Sequence, residues 1–119
     1  MVAARYDITI EQGSKFESTI IYKDSNGNIV DLTGYTAEMQ IRETVASATT
    51  LITLSTSNGR ITITGASGQI DLSINATDTD DLDFERGVYD LEITPASGAD
   101  NTIRILQGKV ALSKEVTRA

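Results

Sequence analysis

Apolar and polar residues trade places at every second position through most of the chain, and spacing of three or four residues is almost absent, so pleated strands with one buried face are predicted rather than helices. Tyr6, Ile8 and Ile10 alternate with Asp7, Thr9 and Glu11, and Gly13-Ser14 breaks the run before Phe16, Ser18, Ile20 and Tyr22 begin a second. That second run also carries Thr19 and Ile21 on its other face, as an inner strand or a strand meeting a partner would. The segment Asp24-Ser25-Asn26-Gly27-Asn28 follows, and Asn-Gly predicts a tight type I′ hairpin turn, which needs two residues tolerant of positive φ. Ile29, Val30 and Leu32 then lead through Thr33-Gly34 into the clearest half-buried strand, where Tyr35, Ala37, Met39 and Ile41 alternate with Thr36, Glu38, Gln40 and Arg42.

Residues 43–50 are small and polar with no sustained period, which predicts a mobile loop. Ile52 with Leu54, Ile61 with Ile63, and Ile70 with Leu72 and Ile74 predict three short strands in a meander, turned at Ser57-Asn58-Gly59 and between Gly65 and Gly68. Asn75 is followed three residues later by Asp78, and the acidic run to Asp83 suits the positive end of a short helical turn near residues 76–82. Tyr89, Leu91 and Ile93 predict a further strand, Pro95 to Asp100 a turn, Ile103 and Ile105 a strand, and Val110 with Leu112 a last strand after Gly108. The polar segment 113–119 is expected to fray or to dock elsewhere.

About eight to ten short strands turned by Gly, Asn and Asp predict an all-β fold, an immunoglobulin-like antiparallel β-sandwich with one short helical turn; a small barrel is the alternative. The Cys pair and core Trp of antibody domains are absent, so Phe16, Tyr35, Phe84, Tyr89 and many Ile and Leu must fill the interior. A length of 119 residues suits one domain, 1–119.

Composition narrows the chemistry. With no Cys and no His, the chain lacks a thiolate nucleophile, a cysteine zinc site and the commonest general base. Seventeen acidic against ten basic residues give a net charge of −7, which repels phosphate backbones and anionic lipid, so neither nucleic acid nor membrane is an expected partner. The opening Met1-Val2-Ala3-Ala4-Arg5 runs straight into alternating sequence without the pattern of a secretory signal, so synthesis in the cytoplasm is expected.

Four acids, Asp78, Asp80, Asp81 and Asp83, form a weak calcium candidate because a hard cation wants several oxygens; a capped, solvated turn is the preferred reading. Asp24, Asn26 and Asn28 match the opening of a calcium loop, but the glycine falls at 27 instead of 29 and no Glu closes the pattern. Glu38 with Glu92, or Asp71 with Asp90, are conceivable glycosidase pairs, although outward carboxylates are ordinary on an antiparallel sheet. Gly59, Gly65 and Gly68 read as turns, not as a phosphate cradle. No catalytic residue, cofactor site or resident metal is therefore assigned, and the chain is expected not to be an enzyme.

The segment Val30-Asp31-Leu32-Thr33-Gly34-Tyr35-Thr36-Ala37-Glu38-Met39-Gln40-Ile41-Arg42 resembles a widespread group of small tailed-bacteriophage virion proteins. The resemblance continues in order through Tyr6 to Gly13, Asp24 to Asn28, Gly59 to Thr62, Asn75 to Leu82, Gly87 to Leu91 and Gly108 to Val110. The Asp-Leu-Thr-Gly-Tyr pattern is also similar to the immunoglobulin-like N-terminal domain of phage baseplate upper proteins. The resemblance implies a non-enzymatic assembly or attachment role in a tail, baseplate or neck, residence in the virion, and as partners other virion proteins and copies of the chain itself. Strand addition or apolar sheet faces would join the copies, with Ile21 and Tyr22 as first interaction candidates and Val45 and Val116, on the loop and the tail, as second ones. A capsid decoration (cement) protein and a carbohydrate-binding sandwich are the alternatives; the second needs exposed aromatic platforms, and only four Tyr and two Phe are present.

Overall fold

Alternation of side chains becomes alternation of burial. In the computed structural model, which describes residues 4–117, Ala37, Met39 and Ile41 of strand β4 (Thr36–Arg42) point inward while Thr36 and Glu38 face solvent. Tyr89, Leu91 and Ile93 of β8 (Arg86–Thr94) and Ile70, Leu72 and Ile74 of β7 (Gln69–Ile74) do the same. The remaining strands are β1 (Ala4–Arg5), β2 (Ile8–Glu11), β3 (Phe16–Ile21), β5 (Ile52–Ser55), β6 (Ile61–Thr64) and β9 (Ile103–Ser113), and one helical turn, α1 (Ala76–Asp80), follows β7. Residues 1–3 of the opening segment and 118–119 of the polar tail lie outside the described residues.

Two sheets result. The larger runs β5-β4-β8-β9 with β1 and β2 both alongside β9, and the smaller runs β3-β7-β6. Their inner faces meet in an aliphatic core in which Ile10, Leu32, Ile41, Leu54, Ile70, Leu91 and Ile93 are wholly buried, each contributing about 1.5–3 kcal/mol of transfer free energy. Phe84 and Tyr89 are buried with them, whereas Phe16 and Tyr35 pack against the core from its margin. The fold is the expected immunoglobulin-like sandwich: two packed sheets, with consecutive strands crossing between them.

Several local expectations are corrected. The sandwich is not purely antiparallel, since β1 and β2 run parallel to β9. Between those two strands the Tyr6 N–H still bonds to the Gln107 carbonyl of β9, but the Tyr6 side chain leaves the alternation and is exposed. The predicted meander does not form: β5 pairs with β4 in the larger sheet, while β6 and β7 pair in the smaller. Gly108 does not end a strand but lies within the continuous β9, where a Cβ would sit 2.2 Å from the Tyr6 carbonyl oxygen. The turn at Asn26-Gly27 is not type I′, because among the described residues only glycines have positive φ. Instead the Asp24 carboxylate accepts the N–H groups of Asn26 and Asn28 at 2.9 and 3.0 Å, and Gly27 alone turns left-handed. Finally, β3 is not an inner strand; it forms one edge of the smaller sheet.

Candidate functional site

The acidic run around α1 is drawn apart by its neighbours. Asn75 caps the helix by accepting the Asp78 N–H at 2.9 Å, and the buried Thr79 hydroxyl donates to the Ser14 carbonyl at 2.8 Å, pinning the turn to the connection before β3. Asp78 then faces Arg60, whose Nη2 lies 2.9 Å from its carboxylate. Asp83 faces Lys114 at 2.8 Å, and that hydrogen bond holds its carboxyl below the usual aspartate range. Among the described residues no three acidic side chains converge as a metal site would require, so Asp78, Asp80, Asp81 and Asp83 do not act as one cluster. The Asp24 carboxylate is likewise occupied by its own turn.

The paired carboxylates also separate. Asp71 is on β7 and Asp90 on β8, in different sheets. Asp71 accepts from the Thr19 hydroxyl at 2.8 Å and from Gln69. Glu38 and Glu92 do stand directly opposite each other on β4 and β8. They border an open depression of about 500 Å³ on the outer face of the larger sheet, with Gln40, Arg42, Asp90 and Arg104. Several of the polar groups there pair: Arg42 donates to Gln40 at 2.8 Å, Gln40 to Glu38 at 2.7 Å, and Arg104 lies 3.4 Å from Asp90. This is an open surface of mixed charge.

The Tyr89 hydroxyl donates to the Tyr6 carbonyl oxygen, joining β8 to the N-terminal segment across β9 at Gly108. Burial first, then the charge of Asp7 and then Tyr6, push its pKa up to about 12. The tyrosine therefore acts as a neutral latch.

The interaction candidates divide. Ile21 is 42% exposed, Val45 88% and Val116 93%, so all three are available at the surface. Tyr22 is half-buried and packed on the core, and its main chain is bonded to Gly68 and Val30, so its first duty is structural. In the 43–50 loop Arg42 donates to the Ser47 carbonyl at 2.8 Å and the Thr44 N–H to the Ser47 hydroxyl at 3.1 Å. Two exposed apolar residues were not anticipated, Tyr6 and Ile29. For Ile29 the signal is its position opposite Lys23 across the hairpin, which places both on the outer face with Ile21.

No protein-family model and no curated protein matches the chain. Among solved structures the chain is similar to one described as "Tim-1", with a TM-score of 0.46 and 16% identity over 100% of each chain.

Proposed function

We propose that this chain is a non-enzymatic structural domain of a tailed-phage virion, an assembly or attachment module of the tail, baseplate or neck that works among other virion proteins and copies of itself. One observation carries the reading: the segments that resemble phage virion proteins all do framework work. The Asp31 carboxylate accepts both the N–H and the hydroxyl of Thr33, Leu32 is wholly buried, and its N–H donates to the Gly65 carbonyl at 2.8 Å. The Asn75 segment caps α1, the Gly87 to Leu91 segment supplies core and latch, and Gly108 permits the close pass of Tyr6. Residues with these duties hold a shape, which is what a repeated scaffold unit requires.

Antibody labelling of intact purified particles under the electron microscope tests the placement. Label at the tail, baseplate or neck is expected. Label spread over the head would favour a capsid cement role, and unlabelled particles combined with saturable hits on a glycan array would replace the reading with carbohydrate binding.

A further inference from the structure

We infer that the free edge of β3 pairs antiparallel with the same edge of a second copy, joining two three-stranded sheets into one across a two-fold axis. The backbone sets this up. Tyr22 directs both its N–H, to Gly68 at 2.9 Å, and its carbonyl, from Val30 at 3.1 Å, toward the β7 side. Because these directions alternate along a strand, the N–H and C=O groups of Glu17, Thr19, Ile21 and Lys23 point the other way. Among the described residues no strand pairs with β3 on that side. An open groove of about 450 Å³ runs there between β2 and the start of β3. An unpaired, half-apolar edge of this kind is a template for strand addition.

Charge selects both the occupant and the register. With Ile20 placed on the two-fold axis, Thr19 falls opposite Ile21 of the second copy, and Glu17 falls opposite its Lys23, each pair occurring twice. Four opposed pairs supply up to about eight main-chain hydrogen bonds, and the exposed Ile21 gains cover from the second copy. Sliding by two residues toward the start of the strand sets Lys15 against Lys23, and sliding the other way leaves Glu17 without a basic partner. A slip of one residue turns the buried face outward. In the free chain Glu17 is left with an exposed contact to Lys15 at 3.5 Å, which is easily exchanged.

Sedimentation equilibrium on the purified chain, from low micromolar to about 1 mM, tests the contact independently of any place in a virion. The expected result is a reversible monomer–dimer equilibrium. Glu17→Lys and Lys23→Glu, both at exposed sites, should each weaken the dimer at least about tenfold, since two symmetric pairs change from attraction to repulsion. The double variant E17K/K23E should return to within about threefold of the wild-type constant. Circular dichroism of each variant checks that the sandwich is intact. A chain that stays monomeric to about 1 mM overturns the inference. So does a dimer indifferent to both single reversals, or one that the double reversal fails to restore.

Discussion

Replacing Gly108 by Ala is the smallest change that reaches the joint between the N-terminal segment and the larger sheet. A Cβ there would lie 2.2 Å from the Tyr6 carbonyl oxygen, 2.8 Å from its carbon and 2.9 Å from an Asp7 carboxylate oxygen. A carbon–oxygen contact relaxes only beyond about 3.3 Å, so the Tyr6–Asp7 segment must retreat by about 1 Å. Three hydrogen bonds hold that segment: the Tyr89 hydroxyl to the Tyr6 carbonyl, the Tyr6 N–H to the Gln107 carbonyl at 2.9 Å, and the Lys109 N–H to Asp7 at 2.9 Å. Each contributes about 0.5–1.5 kcal/mol, and overpacking adds about 1–3 kcal/mol if the segment resists. Partial relief of one cost by the other gives an expected loss of about 2–5 kcal/mol, a large share of a typical stability of about 5–15 kcal/mol. Urea denaturation of wild type and Gly108→Ala measures it. A second readout locates the damage. The Tyr89 pKa of about 12 depends on burial and on Asp7, so a displaced segment should lower it, visible as earlier tyrosinate absorbance in an alkaline titration. A Gly108→Ala protein within about 0.5 kcal/mol of wild type, with its high-pH tyrosine titration unmoved, would refute the reasoning.

Other consequences are as direct. Thr79→Val keeps the shape of a wholly buried side chain but strands the Ser14 carbonyl, and should cost about 1–3 kcal/mol in denaturation experiments, whereas Thr79→Ser keeps the hydroxyl and should cost less. The Asp31 carboxyl is held below its ordinary value of 3.8, first by the Thr33 hydroxyl and then by the Thr33 N–H. A depressed folded pKa gives stability that is present above the unfolded value and lost as pH falls through the folded one. The melting temperature should therefore drop below about pH 4, less steeply in Asp31→Asn. Millimolar calcium should leave the melting temperature unchanged because the acids around α1 are separated; a rise of several degrees reversed by EDTA would contradict that geometry.

The parts of the fold legible in the sequence are those where local pattern and burial coincide. Ala37, Met39 and Ile41, like Tyr89, Leu91 and Ile93, alternate cleanly because each strand has one face on the core, and Asn75 announces α1 by capping chemistry confined to a single turn. What the pattern does not carry is long-range. Gly108 reads as a break until Tyr6, far away in sequence, is seen to need its missing side chain. The strand at Ile52 and Leu54 has the same period whichever sheet it joins, and its pairing with β4 is decided by the reversal of the chain through residues 43–50. At Asn26-Gly27 the nearby Asp24 carboxylate offers the backbone a different turn from the one the dipeptide favours. The two-sided apolar character of β3 was legible, but its cause was an open edge with Ile21 at the surface, not an inner position. The interaction candidates follow the same division: exposure at Ile21, Val45 and Val116 agrees with their strand-face, loop and tail positions, while Tyr22 is claimed by the core.

The proposal that this chain is a structural component of a phage particle is tested most directly by quantitative mass spectrometry of density-purified virions released from a culture that carries its gene. The account predicts the chain at a few to tens of copies per particle, retained through purification in fixed ratio to tail components. Particles that are infective and complete yet lack the chain would contradict it.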